Sequence, residues 1–292
     1  MELENVNDPR VEGAVLFGAA NGLSRTRRLL GFQRSVHTRG DRPVVVTEGD
    51  SWFQFPFLLK DVVDNLTEHF SVYSLGAAGD TTLNMVFIAP EYQHALIKAE
   101  AISGKPVEAF VFSSGGNDIL GKSNGKRVLE DIVRKHQANE IVSLDNAFNE
   151  KVLERQFNFL RTGYEKVISD IRMTHPELPL FFHSYDRVWP FNPSNPEDGR
   201  KGIWVQPPLT AQGVTKFEDQ RLITDHLIKK FSVLLQDIAA NSTNVYFVDT
   251  GQPLADRLDL WHDEIHPTNA GYKLISDKFV SEIKSRLAAA HG

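Results

Sequence analysis

The chain has 292 residues, of which 41% are hydrophobic and 24% charged, an ordinary globular composition that argues against wholesale disorder. Thirty-two Lys and Arg against 38 Asp and Glu leave a formal charge of −6; with no long basic run, a nucleic-acid-binding surface is not expected. No cysteine is present, which excludes a disulfide framework, a thiol nucleophile and cysteine-ligated zinc or iron–sulfur.

At roughly 150 residues per domain the length allows two domains, although α/β chains often use about 250 residues as one unit. The N-terminus, Met1-Glu2-Leu3-Glu4-Asn5-Val6-Asn7-Asp8, is acidic and lacks the basic start and apolar run of a secretory signal. No window approaches about 18 uninterrupted apolar residues, so no membrane span is expected. A cytoplasmic address is the expectation, and a leader trimmed beforehand would leave the same sequence.

In residues 1–42, Gly13, Gly18, Gly22, Gly31 and Gly40 interrupt any long periodicity, and the four arginines between Arg25 and Arg34 read as a solvated face. The β-branched run at 43–47 reads as a buried strand of a parallel sheet. A helix is expected over about 55–69, a strand at 72–75, a helix over about 84–102 and a strand at 109–112. The apolar residues Val152, Leu153, Leu160, Tyr164, Val167, Ile168 and Ile171 recur at helical steps, predicting a helix over about 147–173. Residues 178–182 and 245–248 supply the fourth and fifth strands, separated by a proline-rich stretch and a helix over about 218–240. A last helix follows Pro267. Short, non-alternating strands that alternate with helices predict an α/β fold, a parallel sheet with helices on both faces.

In such sheets ligands bind beyond the carboxyl ends of the strands, so the residues just after each strand matter most. Glu48-Gly49-Asp50-Ser51-Trp52 follows the first. Its glycine allows a tight turn, and the serine then opens a helix, where backbone N–H groups and the positive helix end flank the hydroxyl, as an attacking serine requires. Taken alone, Ser51 and Gln54 read more readily as a capping box. Gly76-Ala77-Ala78-Gly79-Asp80-Thr81 follows the second strand. It either lets backbone N–H groups approach a ligand closely or is a plain turn capped by Asp80 or Thr81. In Ser113-Ser114-Gly115-Gly116-Asn117-Asp118, after the third strand, Asn117 either projects its amide into the site as a donor or completes an ordinary turn.

Near the end comes His262-Asp263-Glu264-Ile265-His266-Pro267. A carboxylate three residues before an imidazole is close enough to orient it in a turn. In a helix His262 and His266 would share a face as metal ligands, but Pro267 disfavours helical geometry at His266 and no third ligand stands out. A capped helix start with a buried histidine is the other alternative. Together the four segments supply a nucleophile, oxyanion donors, a base and its orienter, the roles that acyl transfer needs.

The ordered set Gly49-Asp50-Ser51, Gly79, Gly116-Asn117-Asp118 and Asp263-x-x-His266-Pro267 resembles the four blocks of the SGNH (GDSL-type) hydrolase family, over residues from about 43 to 288. The resemblance implies a flavodoxin-like three-layer α/β/α fold around a five-stranded parallel sheet, and hydrolysis of carboxylic esters with no metal and no cofactor. It implies Ser51 as nucleophile, His266 as general base and Asp263 as its orienter. The oxyanion hole would be the N–H groups of Ser51 and Gly79 and the side chain of Asn117. The expected partner is a small-molecule ester. Thioesterase or lysophospholipase activity within the family, and a non-catalytic binding module on the same fold, are the alternatives.

Three departures bear on substrate. Trp52 stands where the family often has leucine and either shapes the acyl pocket or packs beneath it. Residues 1–42 form an extension before a single hydrolase domain over 43–292, and stretches near 119–146 and 186–216 read as insertions. The second insertion carries Trp189, Phe191, Trp204 and five prolines and is either an ordered surface loop or a lid. Tyr185, Trp189 and Trp204 join Trp52 as candidate substrate contacts.

Overall fold

A computed structural model describes residues 9–55, 59–123, 126–137, 140–200, 202–254 and 256–291; the acidic stretch 1–8 lies outside them. Among the described residues no helix is long and apolar enough to cross a membrane.

The chain opens with α1 (Pro9–Thr38), a 30-residue helix in a region where glycines predicted no long element. Each internal glycine costs about 1 kcal/mol relative to alanine, so tertiary contacts must offset the loss. Phe32 is buried edge-on against Tyr73 at 5.4 Å, and Ser35 bonds Ser71 at 2.8 Å. The predicted solvated arginine face is only half right: Arg27 and Arg34 are exposed, but Arg28 pairs with buried Asp61 at 2.6 Å and donates to the Phe53 carbonyl.

β1 (Val44–Gly49) follows, buried along its whole length. Next come α2 (Val62–Leu66) and β2 (Ser71–Ser74). The expected helix over 55–69 is therefore only five residues long. Ser51 caps nothing, and the capping box is formed instead by Asp61 and Asp64. After a π-helical turn (Leu83–Ile88) and Pro90 comes α3 (Tyr92–Ser103). The single helix expected over 84–102 is broken because proline disfavours helical geometry in the residue before it, here Ala89. β3 (Ala109–Ser113) leads to α4 (Gly116–Ile119) and a small hairpin of β4 (Lys122–Ser123) and β5 (Lys126–Arg127). Beyond α5 (Val128–Ile132) lie the strongly amphipathic α6 (Glu150–Arg172) and β6 (Leu180–His183). The chain closes with α7 (Gln206–Ala211), α8 (Phe217–Ala240), β7 (Val245–Val248) and α9 (Asn269–His291).

The five long strands form one all-parallel sheet in the order β2-β1-β3-β6-β7. Right-handed crossovers put α2 on one face, since β1 to β2 runs one way, and α3, α6 and α8 on the other, since the later connections run back. The packing agrees: α2 meets α9, and α6 meets α8. This is the three-layer α/β/α fold. α1 packs along β2 and so covers the row of unpaired backbone groups that an edge strand exposes. The strand order reverses between β1 and β3, and at such a switch point a crevice opens beyond the strand ends. Ser51 follows β1 and Asn117 follows β3.

Candidate active site

Gly49 ends β1 where no side chain fits. A Cβ there would lie 2.8 Å from Ser113 Cβ and 2.9 Å from the Phe53 ring. That close approach turns the chain sharply, leaving Ser51 half-buried at the mouth of the crevice while Asp50 and Trp52 turn inward.

The Asp263–His266 pair is built locally. One Asp263 oxygen accepts the N–H groups of Ile265 and His266 at 2.9 and 2.8 Å, an aspartate turn of the kind this side chain favours. That turn leaves Oδ2 facing the imidazole of residue i+3, and His266 Nδ1 meets it at 2.8 Å. Because a carboxylate accepts, Nδ1 carries the proton and Nε2 presents its lone pair. Nε2 meets Ser51 Oγ at 2.8 Å. Both ring nitrogens of His266 thus have protein partners, whereas His262 is exposed. Among the described residues no group of three potential ligands could hold a metal ion.

Burial raises the Asp263 carboxyl, but the hydrogen bond from His266 and its charge outweigh burial and hold it below the usual carboxylate range. A fourth donor also reaches it: Trp204 Nε1 donates to Oδ2 at 3.1 Å. Trp204, expected to touch substrate, sits behind the carboxylate, with its ring edge-on to the imidazole at 5.8 Å. Phe55 flanks the imidazole at 4.7 Å. Trp189, the other tryptophan expected at substrate, does not line the crevice; its ring lies 4.4 Å from the guanidinium of Arg221.

Trp52 and Tyr185 both line the crevice, with Ser51, Asn117, Leu120, Asp186, Val188 and Ile265. Trp52 is nonetheless largely structural. It is buried, donates to the Ile265 carbonyl at 2.9 Å and stacks on His183. Burial lowers the His183 imidazole to about 4, so this ring is neutral and serves packing. The Tyr185 hydroxyl donates to Asp50 and accepts the Gly116 N–H at 3.0 Å, tying together the loops after β1 and β3. Burial raises Asp50 to about 6, against the Tyr185 hydrogen bond that lowers it.

The three expected oxyanion donors stand in three loops that are tied to one another. Among the described residues neither the Ser51 N–H nor the Gly79 N–H has a protein acceptor. Gly79 adopts φ +81°, which L side chains avoid. Asn117 Nδ2 donates to the Asp80 carbonyl at 2.7 Å, leaving its second N–H to the crevice it lines. The same link joins the loop after β3 to that after β2, and Asp118 adds to it by accepting the N–H and hydroxyl of Thr82 at 2.9 and 3.0 Å.

Glu264 went unnoticed in the sequence. It is fully buried, and its carboxylate accepts four backbone N–H groups: Phe191 and Gln206 on Oε1 at 2.9 and 2.8 Å, Trp204 and Val205 on Oε2 at 2.7 and 2.9 Å. Arg200, paired with buried Asp198 at 2.7 Å, adds donations to the carbonyls of Asp263 and Trp189. The stretch expected as lid or surface loop is therefore fastened to the turn that carries Asp263 and His266. An acidic residue between Asp263 and His266 was the available signal.

A model of the GDSL-like lipase/acylhydrolase family matches residues 38–274. The chain belongs to this family. Among solved structures this GDSL-like hydrolase is similar to the lipase Lip_vut3 from a goat rumen metagenome, at 15% identity over 82% of this chain and 96% of that one, with a TM-score of 0.49. It is also similar to a family 3 carbohydrate esterase of Clostridium thermocellum (16% identity, 86% and 99% covered, TM-score 0.48). A carbohydrate esterase family 3 structure from Talaromyces cellulolyticus matches at 10% identity (85% and 99% covered, TM-score 0.47). No curated protein matches the sequence. The GDSL-like match begins at residue 38, where α1 ends.

Proposed function

We propose that this GDSL-like hydrolase is a serine esterase that cleaves carboxylic esters through an acyl-enzyme, without a metal. The observation that carries the reading is the unbroken chain from Ser51 Oγ to His266 Nε2 and from His266 Nδ1 to Asp263 Oδ2, each 2.8 Å. His266 takes the hydroxyl proton as Ser51 Oγ bonds to the ester carbonyl carbon. The oxygen left with negative charge is held by the N–H groups of Ser51 and Gly79 and by the Asn117 amide. The C–O bond to the alcohol then breaks, and His266 returns its proton to the leaving oxygen. Water, deprotonated by the same imidazole, bonds to the acyl carbon; the bond to Ser51 Oγ breaks, and His266 returns the proton to that oxygen as the acid leaves. Asp263 stays ionised throughout; it holds the tautomer and balances the imidazolium.

The crevice also favours a size of acyl group. Its recess measures about 20 Å³, walled by Trp52, Leu120, Tyr185, Val188 and Ile265, room for one or two water-sized atoms. An acetyl methyl fits this recess, whereas a long chain has to lie along the open mouth of the crevice. The test is hydrolysis of p-nitrophenyl acetate, butyrate and octanoate together with labelling by a fluorophosphonate. The expected results are kcat/KM falling with chain length, label on Ser51, and loss of both activities in Ser51→Ala. Wild-type turnover by the purified Ala variant defeats the proposal, and a preference for octanoate defeats the size argument. A parallel series of thioesters and lysophospholipids identifies the leaving group.

A further inference from the structure

We propose that α1 sets the geometry of the oxyanion loop and that Asn21 is its positioning residue. The inference rests on the reading of Gly79 as an oxyanion donor and goes beyond it, because α1 precedes the family match.

The Gly79 N–H belongs to the peptide plane that begins at the Ala78 carbonyl. A trans peptide is planar, with its C=O and N–H pointing opposite ways. Whatever holds the Ala78 oxygen therefore aims the Gly79 N–H. Asn21 Nδ2 donates to that oxygen at 3.2 Å, and Asn21 Oδ1 accepts the Ala78 N–H at 3.1 Å. One side-chain amide thus grips Ala78 at both of its backbone groups. One turn along the same helix, Arg25 Nε donates to the Gly76 carbonyl at 3.3 Å, and its Nη1 pairs with Glu91 at 2.9 Å. On the far side of Gly79, Asn117 holds the Asp80 carbonyl.

Gly79 needs this clamp because it is glycine. At φ +81° it meets no steric barrier that would keep the adjoining plane from rotating, and a plane turned away removes the donor. A hydrogen bond at the carbonyl also polarises the peptide and strengthens its N–H as a donor. Loss of one oxyanion donor costs about 10²–10³ in turnover, so a plane that wanders for part of the time costs less.

The experiment compares wild type, Asn21→Ala, Asn21→Asp and the control Thr26→Ala on p-nitrophenyl acetate. The Thr26 side chain is exposed and bonds only its own helix. Each protein is also titrated with a methyl trifluoromethyl ketone, which adds to Ser51 as an oxyanion mimic. Asn21→Ala is expected to lower kcat about tenfold to a hundredfold with KM within about twofold, and to raise the ketone Ki by the same factor as kcat/KM falls. Asn21→Asp keeps the acceptor for the Ala78 N–H but loses the donor to the Ala78 oxygen, so it should anchor the loop yet match Asn21→Ala in kcat. Thr26→Ala should match wild type. Wild-type kcat and Ki in Asn21→Asp, or a raised KM with kcat kept, overturns the proposal; should Asn21→Ala fail to fold, Asn21→Asp alone decides. Turnover that survives Ser51→Ala would instead sink the reading of the site, whatever Asn21 does.

Discussion

Glu264→Gln isolates the staple that joins the 191–206 stretch to the Asp263–His266 turn. In the native protein each carboxylate oxygen accepts two backbone N–H groups at 2.7–2.9 Å. Glutamine keeps one acceptor oxygen and replaces the other with an NH₂ group. That NH₂ then faces two N–H donors, so two of the four bonds are lost and two buried donors lack partners. Hydrogen bonds to a charged group contribute about 1.5–3 kcal/mol each, so the loss is about 3–6 kcal/mol, a large share of a typical domain stability of about 5–15 kcal/mol. At about 2 °C per kcal/mol for a chain of this size, Tm should fall roughly 6–12 °C. If the stretch releases locally instead, the same loss shows as new proteolytic cuts between residues 191 and 206, and kcat falls because Trp204 no longer reaches Asp263. Thermal unfolding, limited proteolysis and turnover are to be measured on one preparation. A variant that unfolds within 1 °C of wild type and gains no cleavage there would refute the role given to Glu264.

Trp204→Phe keeps the ring beside His266 and deletes only the indole donor to Asp263; kcat should fall several-fold with little change in KM, and an unchanged kcat would show that the donor is idle. Stability should depend on pH through Glu48, whose carboxyl burial pushes up to about 8, against the attraction of Arg25. Its stabilisation as the neutral acid is full below the ordinary glutamate value of 4.5 and is lost as pH rises through 8, with a slope of at most about 1.4 kcal/mol per unit. Urea unfolding of Glu48→Gln from pH 5 to 8 should therefore show a flatter decline than wild type, and parallel declines would exclude Glu48 as the source. Gly31→Ala should raise stability by about 0.5–1 kcal/mol, because the residue is helical and an added Cβ meets nothing within 4 Å; a loss in urea unfolding would contradict this.

What could be read from the sequence alone was what is built within a few residues. The buried strands announce themselves as short β-branched or apolar runs, and their alternation with helices determined a parallel sheet and hence where ligands bind. The Asp263–His266 pair is legible because an aspartate turn spans three residues, and the loop to Ser51 because Gly49 must stand where no Cβ fits. Helix ends were less legible: Pro90 splits one expected helix, and a capping box placed at Ser51 belongs to Asp61. What only the tertiary structure decided is which distant backbone groups each polar side chain meets. Asn21 reaches Ala78 across 57 positions, Trp204 reaches Asp263 across 59, and Glu264 gathers N–H groups from 58 to 73 residues away. Such bonds have no periodicity and no fixed spacing, because they depend on how the layers stack. α1 shows the same limit from the other side: its glycines weaken the local helical signal, and the helix persists through contacts with β2 and with the loops that flank Ser51 and Gly79.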